Sequence, residues 1–239
     1  MDIYIFLVLA MLVGYIIGSI PFALVIGKGI YKTDVRKYGS GNLGSTNVAR
    51  TLGPIPGLVV LILDLLKGGL TSFIMYKIAY NSLLGSGNLV YIDQASYAPT
   101  VYFVCGLFVC LGHSHPLFSN FKGGKCVACM FGILLFFNWK LSLIGGVFFF
   151  GTIFIIRIVS LGSILASISI MVSLAIPWAR DSFLFDIENR LTGFIYSVLL
   201  IAICVLVLYR HISNIQNIVN KKEKKFSFGH KEKEKIKED

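Results

Sequence analysis

Hydrophobic residues make up 56% of this 239-residue chain and charged residues only 14%. A water-soluble domain carries about 45–50% apolar residues even with glycine counted, so a soluble globular fold is excluded. The formal net charge of +10 is distributed unevenly along the chain, and that distribution orients it.

Crossing a bilayer as a helix takes about 20 apolar residues, and such runs recur from end to end. They are too long and continuous for barrel strands, so the sequence predicts an all-α integral membrane protein with seven transmembrane helices. The segments run roughly over 4–30, 54–79, 97–112, 126–138, 140–157, 162–179 and 191–209. The first reads as a retained span, because Asp2 is the only charge before Lys28 and the run is too long for a signal core. Cys126 to Phe137 is twelve residues, about 18 Å at helical rise and short of a roughly 30 Å hydrocarbon core. Either this segment is tilted with Gly123 and Gly124 inside it, or Cys126 to Val159 is one broken unit. Asn138-Trp139-Lys140 is the expected turn. Cys105, Cys110, Cys126, Cys129 and Cys204 all lie in or beside apolar runs and read as packing residues.

One side of the membrane receives Lys32, Arg36, Lys37, Arg50, Lys122, Lys125, Arg157 and Arg210, and the other only Lys77, Lys140, Arg180 and Arg190. The eight-to-four bias, reinforced by tail lysines from Lys221 to Lys237, places the N-terminus outside and the C-terminus in the cytoplasm. The predicted organisation is a seven-span domain over 1–212 and a basic cytoplasmic tail over 213–239, without order beyond about Phe228. The Lys221–Lys225 cluster suits either a solvated end or a weak hold on anionic lipid.

That topology gathers four polar clusters on one face: SGNLGSTNVAR (Ser40 to Arg50), GHSHPLFSNFKGGK (Gly112 to Lys125), RIVSLGS (Arg157 to Ser163) and RHISN (Arg210 to Asn214). No carboxylate falls between Gly39 and Arg50. Glycines let successive N–H groups turn toward one anion, arginine adds a bidentate fork, and lysine a point charge. The face therefore reads as a phosphate-recognition surface, although each piece alone also fits a turn, an interfacial anchor or a snorkelling side chain. His113-x-His115 has metal-like spacing with no carboxylate near it in sequence, and no metal site is inferred. Asp64 and Lys67 lie inside the second span, three residues apart on one helix face. Ionisable groups there are costly and point to a site or to a structural pair supporting one.

These residues carry a resemblance to the bacterial acyl-phosphate:glycerol-3-phosphate acyltransferase family. SGNLGSTNVAR resembles that family's SGNxGATNxxR, with Ser45 for Ala. GHSHPLFSNFKGGKC is similar to GHxxPxFxxFKGGKG, with Cys126 for the last Gly. RIVSLGS resembles its Arg followed by SLxS, and DLLKG its DxLKG. HISNIQNIVNKKEKK resembles HRxNIxRLLxGxExK, keeping His211, Asn214, Ile215, Glu223 and Lys225 while Asn217 and Lys221 depart.

The resemblance implies seven spans, an outside N-terminus and an active site on the cytoplasmic face of the cell membrane. It implies transfer of a fatty acyl group from acyl phosphate to the 1-hydroxyl of glycerol 3-phosphate, giving lysophosphatidic acid. Both substrates and membrane lipid are the implied partners, with no cofactor, nucleic acid or obligate protein partner. The His-x4-Asp base of other glycerolipid acyltransferases is absent, since Phe118, Asn120 and Gln216 stand five residues after the three candidate histidines. The expected assignment has Ser40, Asn42, Thr46, Asn47 and Arg50 around one phosphate. Lys122, Gly123, Gly124 and Lys125 hold the other, with Ser160 and Ser163 beside Arg157. His211 and Asn214 orient the reacting hydroxyl or carbonyl, and Asp64, Lys67 and His113 support the site from behind. A transporter of an organophosphate anion is the alternative, and it requires polar residues along a path through the membrane.

Overall fold

The computed structural model describes residues 2–180 and 190–225. The expected unstructured tail beyond Phe228 falls outside them. Among the described residues the elements are helical: α1 (Ile3–Gly18), α2 (Phe22–Leu24, running into a π-helical stretch Val25–Ile30), α3 (Ser45–Leu52), α4 (Pro54–Leu84), α5 (Leu89–Gln94), α6 (Ala98–Ser114), α7 (Val127–Leu135), α8 (Trp139–Ile156), α9 (Val159–Ser173), α10 (Pro177–Arg180), α11 (Arg190–Tyr209) and α12 (Ile212–Val219).

Five helical stretches among the described residues are long and apolar enough to cross a membrane: Ile3–Ile30, Pro54–Leu84, Leu89–Ser119, Trp139–Ile156 and Thr192–Tyr209. The fourth and sixth expected segments are shorter. The nine residues of α7 rise only about 13 Å, because Cys126 stands outside the helix in a left-handed conformation with φ 64°. The sixth segment, expected over 162–179, is the 15-residue α9, which stops at Ser173 ahead of Pro177, a residue unable to donate to a continuing helix. The first segment is also interrupted. The backbone leaves the helix at Ser19-Ile20 because Pro21 lacks an N–H and biases the residue before it away from helical torsions.

The central element is α6, which packs against α1, α4 and α11. Its Tyr102 and Phe103 are fully buried with Phe137 and Tyr196. The rings of Phe103 and Phe137 meet edge-to-face at 4.4 Å, a geometry their quadrupoles favour. The Tyr102 hydroxyl donates to the Ile133 carbonyl at 2.7 Å, tying α6 to α7. The short α7 also lies close on α4: a Cβ added at Gly68 would sit 2.3 Å from the Cys129 oxygen. Such contact between helix backbones needs small residues. Asn138, at the expected turn, caps α8 by accepting from Leu141 N–H at 3.1 Å and donates to the Ala179 carbonyl at 2.9 Å.

The outside of the molecule is apolar where a soluble protein would be polar. Tyr4, Val8, Leu12 and Ile16 form an exposed stripe along α1, and Val147, Phe154 and Ile155 stand out from α8. Backbone hydrogen bonds are satisfied inside the helices, so this surface suits hydrocarbon.

Candidate active site

The loop before α3 is held from inside. Asn47 is 2% exposed. Its Oδ1 accepts from the Ser40 N–H at 2.8 Å and the Ser40 hydroxyl at 3.2 Å, while its Nδ2 donates to the Val35 carbonyl at 2.8 Å. Expected to face a phosphate, Asn47 is instead turned inward, and it positions Ser40. Asn42 stays on the loop, donating to the Ser40 carbonyl at 3.4 Å. Thr46 and Arg50 lie one turn apart on α3, both half-buried.

The KGGK segment seats on the end of α6. Gly124 N–H donates to the His113 carbonyl at 3.0 Å. A Cβ on Gly123 would fall 2.1 Å from the His113 oxygen, and one on Gly124 would fall 2.1 Å from His113 Nε2 and 2.9 Å from the Leu43 oxygen. Only glycine permits that approach, and the Leu43 contact brings the SGNLG loop against KGGK. Arg210, at the end of α11, clips the same backbone: Nε donates to the Gly124 carbonyl at 3.2 Å and a terminal nitrogen to the Gly123 carbonyl at 3.3 Å.

Four polar side chains from three parts of the sequence then form a chain. The Lys125 ammonium donates to Asn214 Oδ1. Asn214 Nδ2 donates to Glu223 Oε1 at 2.7 Å, and the Ser160 hydroxyl donates to the same oxygen at 2.6 Å. The charges at either end fix the Asn214 amide, its oxygen toward the cation and its nitrogen toward the carboxylate. Burial lowers the Lys125 pKa to about 8; Glu223 opposes the shift, and Arg210 and Arg50 contribute to it. Arg50 therefore belongs to the same field.

His211 is 2% exposed and directs Nδ1 at the Val207 carbonyl, 2.7 Å away. A carbonyl can only accept, so the ring carries its proton on Nδ1 and leaves Nε2 as an acceptor. Burial, with Lys125 nearby, lowers His211 to about 4. It is neutral at physiological pH.

Behind KGGK, Lys67 lies 2.7 Å from Asp64, and His113 Nδ1 lies 3.5 Å from the same carboxylate. Lys67 also donates to the Ile20 carbonyl at 3.0 Å, where α1 breaks. The second-span pair thus supports both the broken first segment and His113, on which KGGK rests. Asp64, His113 and Cys129 offer atoms within 4.8 Å of one another, but the Lys67 ammonium already supplies positive charge to that carboxylate.

Three expected residues stay apart from this cluster. Lys122 is exposed, and Arg157 is exposed in a left-handed conformation (φ 63°) at the C-terminal end of α8. Ser163 is buried and donates to the Val159 carbonyl of its own helix at 3.1 Å.

The family model described as glycerol-3-phosphate acyltransferase matches residues 8–221. The chain belongs to the glycerol-3-phosphate acyltransferase family. A glycerol-3-phosphate acyltransferase of Bacillus cytotoxicus is 38% identical over 225 residues, covering 94% of this chain and 98% of the relative. One of Enterococcus faecalis is 35% identical, covering 93% of each. The crystal structure of PlsY, an integral membrane glycerol 3-phosphate acyltransferase, in its glycerol 3-phosphate form superposes with a TM-score of 0.74 at 30% identity, covering 92% of this chain and 96% of that one. Its lysophosphatidic acid form gives 0.72 at 29% identity.

Two members of the cluster were not among the acyltransferase site residues expected from sequence. Arg210 stood in a polar cluster without a role, and Glu223 sat in a stretch read as basic tail. The signal for Glu223 was its place in the terminal motif HISNIQNIVNKKEKK, where it matches the family pattern but carried no assigned role. What makes Glu223 distinctive is the return of the chain after α12, which carries it back to Ser160.

Proposed function

We propose that this chain transfers a fatty acyl group from acyl phosphate to the 1-hydroxyl of sn-glycerol 3-phosphate, giving 1-acyl-glycerol 3-phosphate. The observation that carries this reading is the convergence of Lys125, Arg50, Asn214, Ser160 and His211 at one end of the helices, around KGGK. Arg50, with Ser40, Asn42 and Thr46, takes one phosphate, and no side chain caps the N-terminus of α3, so the Ser45 and Thr46 N–H groups of its first turn face an anion, that of Asn47 being bonded to the Gly44 carbonyl. Lys125 and the KGGK backbone take the other, with Ser160 and Asn214 beside it; Lys122 and Arg157 attract anions from the rim. We favour glycerol 3-phosphate at the α3 loop.

The glycerol hydroxyl attacks the acyl carbonyl, a new C–O bond forms, the anhydride C–O bond breaks, and inorganic phosphate leaves. A mixed anhydride is already activated, so positioning and charge stabilisation supply much of the catalysis. Neutral His211 accepts a hydrogen bond from the hydroxyl at Nε2. With its pKa near 4, it is a weaker base than a phosphate oxygen of pKa about 6, so the proton passes to a substrate phosphate.

The chain crosses the membrane seven times, α7 and α9 completing the count as short crossings, with the site on the cytoplasmic side. The excess of basic residues on that side supports this orientation. A transporter reading finds no support, because Asp64 and Lys67 are buried against one another and not arranged along a path.

The test is acyl transfer by purified enzyme with glycerol 3-phosphate and either acyl phosphate or acyl-CoA. Product from acyl phosphate alone is the expected result; turnover of acyl-CoA in its place overturns the donor assignment. Lys125→Ala should lower the rate more than tenfold, since hydrogen bonds to charged groups are worth about 1.5–3 kcal/mol. A near-normal rate removes Lys125 from the site.

A further inference from the structure

The segment after the last membrane-length helix is built to lie on a membrane surface. α11 ends at Tyr209, and α12 begins three residues later. Along α12, Ile212, Ile215 and Val219 occupy adjacent positions on one face and are 47%, 40% and 75% exposed. Gln216, Asn220, Ser213 and Asn217 form the opposite face, all exposed. Asn214 lies between the two faces, turned in toward Lys125. A helix with an unpartnered apolar face, leaving a membrane-length helix after one short joint, sits at the depth where headgroups meet acyl chains.

The residues that follow identify the occupant. Lys221, Lys222 and Lys225 are exposed, while the one carboxylate among them, Glu223, is turned in to Ser160 and Asn214. The outward charge of this stretch is therefore basic, and it continues directly from the apolar face. Basic side chains beside an interfacial helix complement the phosphates of anionic lipid.

We propose that α12 and the lysines after it form an arm seated on anionic lipid, and that this seating sets the activity of the site. The arm carries two of the four residues in the polar chain, Asn214 and Glu223. Drawn onto the headgroups, it keeps Glu223 on Ser160 and Asn214 on Lys125. Released from them, it leaves Lys125 without its amide partner. Anionic lipid is then an activator, bound at a surface separate from the substrate phosphates. The activation, though not the seating, rests on the proposed acyl transfer.

The test uses the full chain in nanodiscs of phosphatidylcholine alone or of equal parts phosphatidylcholine and phosphatidylglycerol. The wild type is compared with K221Q/K222Q/K225Q, residues outside the substrate site. A nitroxide on Val219→Cys reads depth by collision with oxygen against a water-soluble nickel chelate; the native cysteines are all buried. We expect oxygen-dominated collision in the phosphatidylglycerol discs and severalfold faster acyl transfer there than in phosphatidylcholine. The triple variant should match wild type in phosphatidylcholine and lose the gain, and high salt should reduce the wild-type gain. A nitroxide in water in both discs overturns the seating and assigns the face to an acidic protein. A seated nitroxide with equal rates in both lipids, or an undiminished gain in the triple variant, overturns the activation. Absence of acyl transfer in every disc overturns the activation together with the functional reading, while the nitroxide still decides the seating.

Discussion

Lys125 is a half-buried cation with a pKa of about 8, and that gives the site a pH signature. The pKa is below the ordinary lysine value, so the ammonium is lost as pH rises through about 8. The rate constant kcat/KM reports the free enzyme, and it should fall on an alkaline limb centred there. Bound phosphate favours the charged form, so the corresponding limb in kcat should lie at higher pH. Lys125→Arg keeps a charge that does not titrate, and the limb should vanish from whatever activity remains. His211, already neutral above about 4, should contribute no limb in the neutral range.

Cys126 shows how a departure from the family pattern is absorbed. It holds φ 64°, where a non-glycine residue costs about 1–2 kcal/mol. Its buried thiol donates to the Cys110 carbonyl at 3.0 Å. Cys126→Gly removes the strain along with that contact, so thermal stability and rate should change little. Cys126→Ala keeps the strain and loses the contact, and a lower melting temperature should follow.

At the scale of elements, KGGK is a short segment gripped from two sides, by His113 below and Arg210 above. Gly124→Ala has no room without displacing either His113 or the Leu43 carbonyl. The expected outcome is a KM for the phosphate substrates raised at least tenfold with a smaller change in kcat, measured by steady-state kinetics. An unchanged KM would show that the loop tolerates the shift. Several elements were legible before the structure. The long helices fall close to the apolar runs, and the expected turn lies at Asn138, because hydrophobic length and the interfacial preference of Trp139 and Lys140 are local signals. The break at Pro21 was missed, as apolar composition continues across it. So was α12, read as tail because eight residues do not stand out beside a lysine-rich stretch.

For the whole molecule, the buried trio of Asp64, Lys67 and His113 ties α4 to the first segment and to α6. Lys67→Met would leave the Asp64 carboxylate buried without its closest cation, and breaking such a pair costs about 3–5 kcal/mol. The variant should melt well below wild type in detergent. Replacing both, as Asp64→Leu with Lys67→Met, should lose less than the single change.

The sequence by itself determined that this is a helical membrane protein, because chain-long apolar composition leaves no other fold. It also placed the phosphate-binding residue types in four clusters, because glycine, arginine and lysine carry their chemistry wherever they fall. Which of them meet was decided by tertiary structure. Asn47 and Ser163 have polar side chains suited to a ligand, yet backbone groups nearby claim them. Arg210 and Glu223 had no assigned role in sequence, and they enter the cluster because α11 and α12 end where α6 and α9 present KGGK and Ser160. Partner choice among polar groups depends on distances across the chain, which no local pattern encodes.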